Sequence, residues 1–325
     1  MRSKSDVTSN GLTANGLTQE SDPRRMGMKR TVVLGALIAI GALSVGIAGQ
    51  QQRAALPDLQ KVKDNFYIIA ASSPVDRSQF TGGNVSVFVT DAGVTVVDSK
   101  LAGYGPDIIA RIKAVTNKPI TTLINTHTHG DHTGSNEGFP TSVNIVAHEN
   151  TKMLMAKMDA FKGEKAQFLP KQTYKDKLTL GSGKDRVELY YFGKGHTGGD
   201  TMVYFPTLRI LATGDLWAWK DAPLLDLGND GSGVELPKTL AKALATIKDV
   251  DTVIPGHTPV SKPAELQEYQ RYMADLLAET EAAIKAGKSA ADAAAASTVT
   301  AKYPGYKSDR LKAAVEAIYK EMGKS

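Results

Sequence analysis

Across residues 63–262 the apolar positions fall into short clusters separated by Gly, Asp, Asn and Pro, and the spacing within each cluster predicts its element. Residues 66–70, 84–90 and 93–99 are rich in β-branched and aromatic side chains and read as strands, the last two joined as a hairpin through the turn at 91–93. Residues 106–116 carry apolar side chains at helical spacing behind Pro106. Residues 119–127 form a buried strand, and 143–148 a shorter one that leads into a helix over 149–161. The theme then recurs, with strands at 187–193, 201–206 and 209–215, a helix at 237–250 and a strand at 251–257. Amphipathic helices cover 263–287 and 308–322, joined by an alanine-rich stretch of high helix propensity. Two runs of strands, each followed by a helix, predict an α+β protein: two packed mixed sheets with helices outside, and C-terminal helices packed on them.

The pattern changes upstream of this region. Residues 1–27 are polar and rich in Ser, Thr, Asn and Gly, which predicts a disordered extension. Residues 28–50 follow a different layout: Lys29 and Arg30, an uncharged and mostly apolar run from Thr31 to Gly49, and small residues at Gly46 and Ala48. That is the order of a secretory signal peptide, and it predicts export to the periplasm or beyond. The alternative is a membrane anchor formed by residues 31–49, which are just enough to span a bilayer. Arg24 and Arg25 also allow a degenerate twin-arginine signal, and Met28 an alternative start. A polar linker, 51–62, joins this segment to a catalytic domain at 63–262 and a C-terminal helical segment at 263–325.

Composition excludes several chemistries. No cysteine is present, so disulfides, thiolate ligands and a cysteine nucleophile are ruled out. The net charge of +5 is concentrated at the start, where residues 1–30 hold six Lys/Arg against three Asp/Glu. No basic stripe interleaved with aromatics occurs elsewhere, which argues against a nucleic-acid partner and leaves a small molecule as the substrate class.

Chemistry concentrates where the predicted strands end. Three of the six histidines, His127, His129 and His132, lie within six positions, with Asp131 among them. His196 and His257 sit in glycine-flanked loops after other strands, and Asp215 follows the strand at 209–215. In extended chain, residues i and i+2 point the same way, so His127 and His129 suit one metal ion, completed by His196. After the glycine turn, Asp131 and His132 reach a second ion with His257, and Asp215 is placed to bridge the two. Imidazole and carboxylate donors without thiolate suit two Zn²⁺ ions, with iron or manganese as alternatives. His148, ahead of a helix, reads as structural or surface. Trp217 and Trp219 follow the bridging acid and are candidate walls of a substrate groove, while Met153, Met155 and Met158 read as the core face of a helix. Lys220 reads as a solvated lysine.

The motifs HTHGDH (127–132), GHTGGD (195–200), TGD (213–215) and PGH (255–257), in that order, resemble the metallo-β-lactamase-fold hydrolase superfamily over roughly residues 64–260. The resemblance implies an αββα sandwich with a two-metal site at one edge of the sheets. It implies that His127, His129 and His196 bind the first zinc, that Asp131, His132 and His257 bind the second, and that Asp215 bridges them. The implied reaction is attack of a metal-activated water on a carbonyl carbon, with Asp131 as the catalytic acid–base. Zinc β-lactamases usually carry Cys or Ser where Asp215 stands. Aspartate is the pattern of glyoxalase II-like thioesterases and lactonases, so a small ester, thioester or lactone is the expected substrate. A β-lactamase and a single-iron persulfide dioxygenase-like enzyme are the alternatives.

Overall fold

The computed structural model describes residues 53–72, 76 and 78–324. The predicted extension, signal or anchor segment, twin-arginine pair and alternative start lie outside the described residues. Among the described residues, no helix is long and apolar enough to cross a membrane.

The first sheet contains seven strands in sequence order. They are β1 (Gln60–Lys63), β2 (Phe66–Ile69), β3 (Val85–Val89), β4 (Val94–Val97), β5 (Ile120–Ile124), β6 (Asn144–His148) and β7 (Gln172–Tyr174). Pairing is antiparallel from β1 to β4 and parallel from β4 to β7. Between these strands lie α1 (Gly105–Lys113), the one-turn α2 (Gly130–Thr133) and α3 (Glu149–Met155). The second sheet comprises β8 (Lys177–Leu180), β9 (Val187–Tyr190), β10 (Met202–Phe205), β11 (Ile210–Gly214) and β12 (Thr252–Pro255). Its spatial order is β12-β11-β10-β9-β8, with the β11–β12 pair parallel. The helices α4 (Leu236–Thr246), α5 (Pro263–Lys285), α6 (Ala290–Ala296), α7 (Val299–Lys302) and α8 (Leu311–Glu321) complete the chain.

Strand alternation sorts the apolar side chains into three layers. Phe66, Ile68, Phe88, Val97, Ile124 and Val146 of the first sheet meet Val187, Leu189, Val203, Phe205, Ile210 and Ile254 of the second. The other face of the first sheet, through Val85, Val87, Val94, Val96 and Leu123, packs on Ile108 and Ile112 of α1. The other face of the second sheet, through Met202, Tyr204, Leu211 and Val253, is covered by Leu240 of α4, Leu266, Tyr269 and Tyr272 of α5, and Val315 and Ile318 of α8. Each fully buried side chain of this kind contributes about 1.5–3 kcal/mol relative to exposure. The result is the predicted αββα sandwich.

Several elements differ from the reading of the sequence. The expected linker 51–62 is built into the fold from Ala54 onward. Ala54 and Leu56 are buried, the Tyr104 hydroxyl donates to the Ala54 carbonyl at 2.9 Å, Arg111 donates to the carbonyls of Leu56 and Pro57, and β1 begins at Gln60. Strands β7 and β8 were not anticipated. The helix expected over 149–161 ends at Met155 and gives way to 3₁₀ turns at 159–161 and 163–168. Accordingly Met155 is buried but Met153 is exposed, and Met158 instead accepts a contact from the Thr128 hydroxyl at 3.3 Å.

Candidate metal centre

All seven proposed ligands follow a strand, or lie in a loop or turn tied to one, at a single edge of the sandwich. β5 runs into His127, β11 into Asp215 and β12 into His257, while α2 carries Asp131 and His132 with His129 at its cap. His196 lies in the loop from β9 to β10. The edge is stitched across the two sheets. Asn84 donates through Nδ2 to the carbonyls of Pro255 (2.7 Å) and Thr258 (2.8 Å), and the Thr201 N–H donates to the Thr126 carbonyl at 2.8 Å.

Donor atoms converge in two groups of three, His127/His129/His196 and Asp131/His132/His257, each with its atoms within 4.8 Å of one another. Asp215 stands between the groups. Its Oδ2 is 3.7 Å from His196 Nε2 and 3.3 Å from His257 Nε2, and its Oδ1 is 3.3 Å from His132 Nε2. His127, His132 and Asp215 form a third overlapping set. All seven sequence-predicted ligand residues are thus brought together. The approach is close enough to require glycine at neighbouring positions. A Cβ on Gly256 would lie 1.8 Å from Asp215 Oδ1, and one on Gly83 2.2 Å from His132 Cε1.

The far nitrogen of four imidazoles is committed to a fixed acceptor, and this sets the tautomer of each. His132 Nδ1 donates to Asp98 Oδ2 at 2.8 Å. The Thr126 hydroxyl also donates to Asp98 Oδ2, at 2.8 Å, and in turn accepts from His127 Nδ1 at 3.0 Å. His196 Nδ1 donates to the Leu224 carbonyl at 2.6 Å, and His129 Nε2 to Asp226 Oδ2 at 2.7 Å. The opposite nitrogens therefore present lone pairs to the centre, the arrangement in which outer partners orient metal-binding histidines. His127 Nε2 is buried with no hydrogen-bond partner, and so is Asp215 Oδ1.

Electrostatics divides the cluster. Burial, reinforced by neighbouring imidazoles, pushes His127 well below the ordinary histidine range and His196 down to about 4, so both are neutral donors. Burial also acts to lower His132 and His257, but Asp215 and Asp131 outweigh it and raise both. Burial acts to raise Asp131, but the charge of His132 and the hydrogen bond from His257 hold it down to about 2. The carboxylates thus demand positive charge beside His132 and His257, a demand met by a proton or a divalent cation. Neutral, tautomer-locked His127 and His196, with His127 Nε2 unpartnered, set against ionised carboxylates, fit divalent metal ions.

Four supporting residues were given no role in the sequence reading: Asp98, Thr126, Asp226 and Asp200, the last of them within the GHTGGD motif. Asp200 accepts from the N–H (2.8 Å) and hydroxyl (2.6 Å) of Thr197 and so shapes the loop bearing His196; burial raises it to about 7. His148 is structural, as expected. It is buried, donates from Nε2 to the Lys175 carbonyl at 2.7 Å, accepts from the Asn150 N–H and stacks on Tyr191.

The two tryptophans part company. Trp219 lines a cleft of about 930 Å³ beside His257, their ring centroids 5.6 Å apart. Trp217 lines the same cleft but is only 1 % exposed, with its ring against Tyr269 of α5. It therefore joins the cleft floor to the helical core, and most of its surface is packing. Lys220 is not simply solvated: its ammonium pairs with Glu265 at 2.9 Å.

Comparison with known proteins agrees with this geometry. The sequence model of the metallo-beta-lactamase superfamily matches residues 79–257. A metallo-beta-lactamase type 2 of Elizabethkingia meningoseptica is 25% identical over 229 residues, 68% of this chain and 86% of that protein. One of Bacillus cereus is 31% identical over 180 residues, 54% and 67% of the two chains. The solved metallo-beta-lactamase from Pontibacter korlensis superposes with a TM-score of 0.58 at 21% identity, covering 67% of this chain and 99% of that one, a likeness of fold. The chain belongs to the metallo-β-lactamase superfamily and is a hydrolase of that superfamily.

Proposed function

We propose that this protein is a binuclear zinc hydrolase of a small ester-, thioester- or lactone-like carbonyl compound. The observation that carries this reading is the position of Asp215, whose two oxygens reach toward both donor triads. His127, His129 and His196 would hold one ion, Asp131, His132 and His257 the other, and Asp215 would touch both. Bound there, such ions supply Lewis acidity, which polarises a carbonyl and makes water acidic near neutral pH. The chain supplies the rest. Asp131 is the more exposed of the two cluster acids, 20% against 5% for Asp215. It stays ionised at neutral pH, so it accepts a proton from the attacking water and passes it to the leaving group. The cleft beside His257 has the size of a small-molecule site. The signal-like segment at 28–50 supports a reaction outside the cytoplasm.

A second reading, hydrolysis of β-lactams, is favoured by the names of the relatives at 25–31% identity. The deciding experiment quantifies metal in the purified protein and assays it against a lactam, a lactone, a thioester and a phosphodiester. Two zinc ions per chain, with turnover of the lactone or thioester above the lactam, is the expected result. Preferential lactam turnover selects the second reading. A single iron with oxygen consumption overturns both in favour of a redox enzyme on this scaffold.

A further inference from the structure

The matched family region ends at His257, yet one wall of the cleft comes from the far end of the chain, where Gly305, Lys307, Asp309 and Arg310 join Trp219, Lys220 and His257 as lining residues. This wall is anchored. The Lys307 N–H donates to the Lys220 carbonyl at 3.0 Å, and the Asp221 carboxylate accepts from the Arg310 backbone N–H. Trp219 is fixed as well, its Nε1 donating to the Ala222 carbonyl at 3.2 Å. On this immobilised indole lies the Arg310 guanidinium, with Cζ 4.1 Å from the ring centroid. The same indole lies beside His257 of the metal centre, their ring centroids 5.6 Å apart. Metal ligand, indole and guanidinium are thus successive neighbours in the cleft.

Stacking occupies the face of a guanidinium and leaves its edge, with the in-plane N–H donors, open. Among the described residues, the Arg310 side chain makes no direct ion pair or hydrogen bond; its guanidinium stacks on Trp219, and its charge also acts on Asp221. The other charges of the wall are differently placed. Lys220 is engaged by Glu265, Asp221 accepts from the backbone of Ala222 and Arg310, and Lys307 and Asp309 are exposed to solvent. Among the described residues of the cleft, Arg310 is the cation that is held in place while its N–H donors make no direct hydrogen bond or ion pair. An edge of parallel N–H donors is matched by a planar two-oxygen anion.

Resting on the hydrolase reading, we infer that Arg310, seated on Trp219, is a specificity-determining residue that recognises a carboxylate carried by the substrate away from its scissile carbonyl.

The test uses the full, zinc-loaded chain and two chromogenic esters, 4-nitrophenyl butyrate and the 4-nitrophenyl monoester of glutaric acid, which differ by a terminal carboxylate. Wild type prefers the anionic ester. In Arg310→Gln the anionic-to-neutral ratio of kcat/KM falls about 10- to 100-fold, the worth of a charge-assisted hydrogen bond, and the loss appears in KM. Lys312→Gln removes the same charge from an exposed position of the following helix and leaves the ratio within about twofold. Tryptophan fluorescence during titration with glutarate, with glutaramide as the neutral control, supplies a readout independent of turnover. Glutarate binds wild type about tenfold or more tightly than it binds Arg310→Gln. Equal glutarate affinity in the two proteins, or an unaltered ester ratio, overturns the assignment. If neither ester is turned over, the hydrolase reading fails on these substrates, and the glutarate titration still decides the role of Arg310.

Discussion

His129 Nδ1 and His196 Nε2 face each other at 2.8 Å. The other nitrogen of each ring lies against an acceptor, Asp226 and the Leu224 carbonyl. Two lone pairs at this separation repel unless a proton or a metal cation lies against both. Chelation is therefore expected to destabilise the protein. Stabilisation by a ligand at a thousand times its Kd is about 4 kcal/mol, so Tm should fall by about 10 °C in excess chelator and recover on adding zinc. Asp226→Ala, which releases the His129 ring, should weaken metal binding by about 10- to 100-fold in a competition titration. A Tm insensitive to chelator contradicts the two-lone-pair reading.

Gly256 gives a sharper probe of Asp215. Its missing Cβ would sit 1.8 Å from Asp215 Oδ1, and backbone hems it in at 3.1 Å. Gly256→Ala must push the Asp215 carboxylate aside. Displacement on the order of 1 Å at a reacting centre costs about 100-fold in rate, so kcat/KM should fall by at least that factor while far-UV circular dichroism is unchanged. Gly130→Ala is the internal comparison. It lies between His129 and Asp131, but its Cβ would meet nothing within 4 Å, so activity should be retained.

The seven clustered residues were legible in the sequence because metal chemistry restricts residue type and because they sit in short glycine-flanked motifs. Their partners were not. Asp98 is a lone acid after a strand, and Asp226 a lone acid in a loop; neither position carries a pattern, and only the fold brings them to His132 and His129. The one available signal for Asp98 was a polar residue directly after the apolar run of β4. The strands that were read carry runs of buried β-branched or aromatic residues, whereas β1 (QKVK), β7 (QTY) and β8 (KLTL) are mostly polar and largely unburied, so no apolar run marks them. Both tryptophans line the cleft, but their difference in burial was not legible: residues 215–217 form a 3₁₀ turn that seats Trp217 in the core, while Trp219 lies beyond it and is half-buried.

That difference in burial predicts different phenotypes. Trp217→Ala empties a fully buried site and should cost about 3–5 kcal/mol in urea unfolding. Trp217→Phe should be far milder, because Trp217 Nε1 has no hydrogen-bond partner to lose. Trp219→Ala removes a half-buried cleft wall, so it should alter stability by less than about 1 kcal/mol while raising KM. A Trp219 variant with unchanged KM would remove that residue from the substrate site.

Lys100 supplies a test by pH. It is fully buried, and its ammonium donates to the carbonyls of Ala70 at 2.6 Å and Gly82 at 3.4 Å. Burial lowers it to about 7, with the charge of Asp131 opposing. An unfolded lysine titrates near 10.4. Below pH 7 both states are protonated and the folded state bears the full cost of a buried charge. Between about 7 and 10.4 the unfolded state binds the extra proton, so stability rises with pH; above that window the cost is gone. Lys100→Met keeps the apolar stem and removes the titration. The stability of wild type relative to Lys100→Met should therefore climb between pH 7 and pH 10, by at most about 5 kcal/mol, in urea unfolding of the two zinc-loaded proteins. The absolute sign at one pH is a poorer guide, since methionine leaves the two carbonyls without their donor. The slope isolates the proton, and a constant difference across the window would show that Lys100 stays charged in the folded protein.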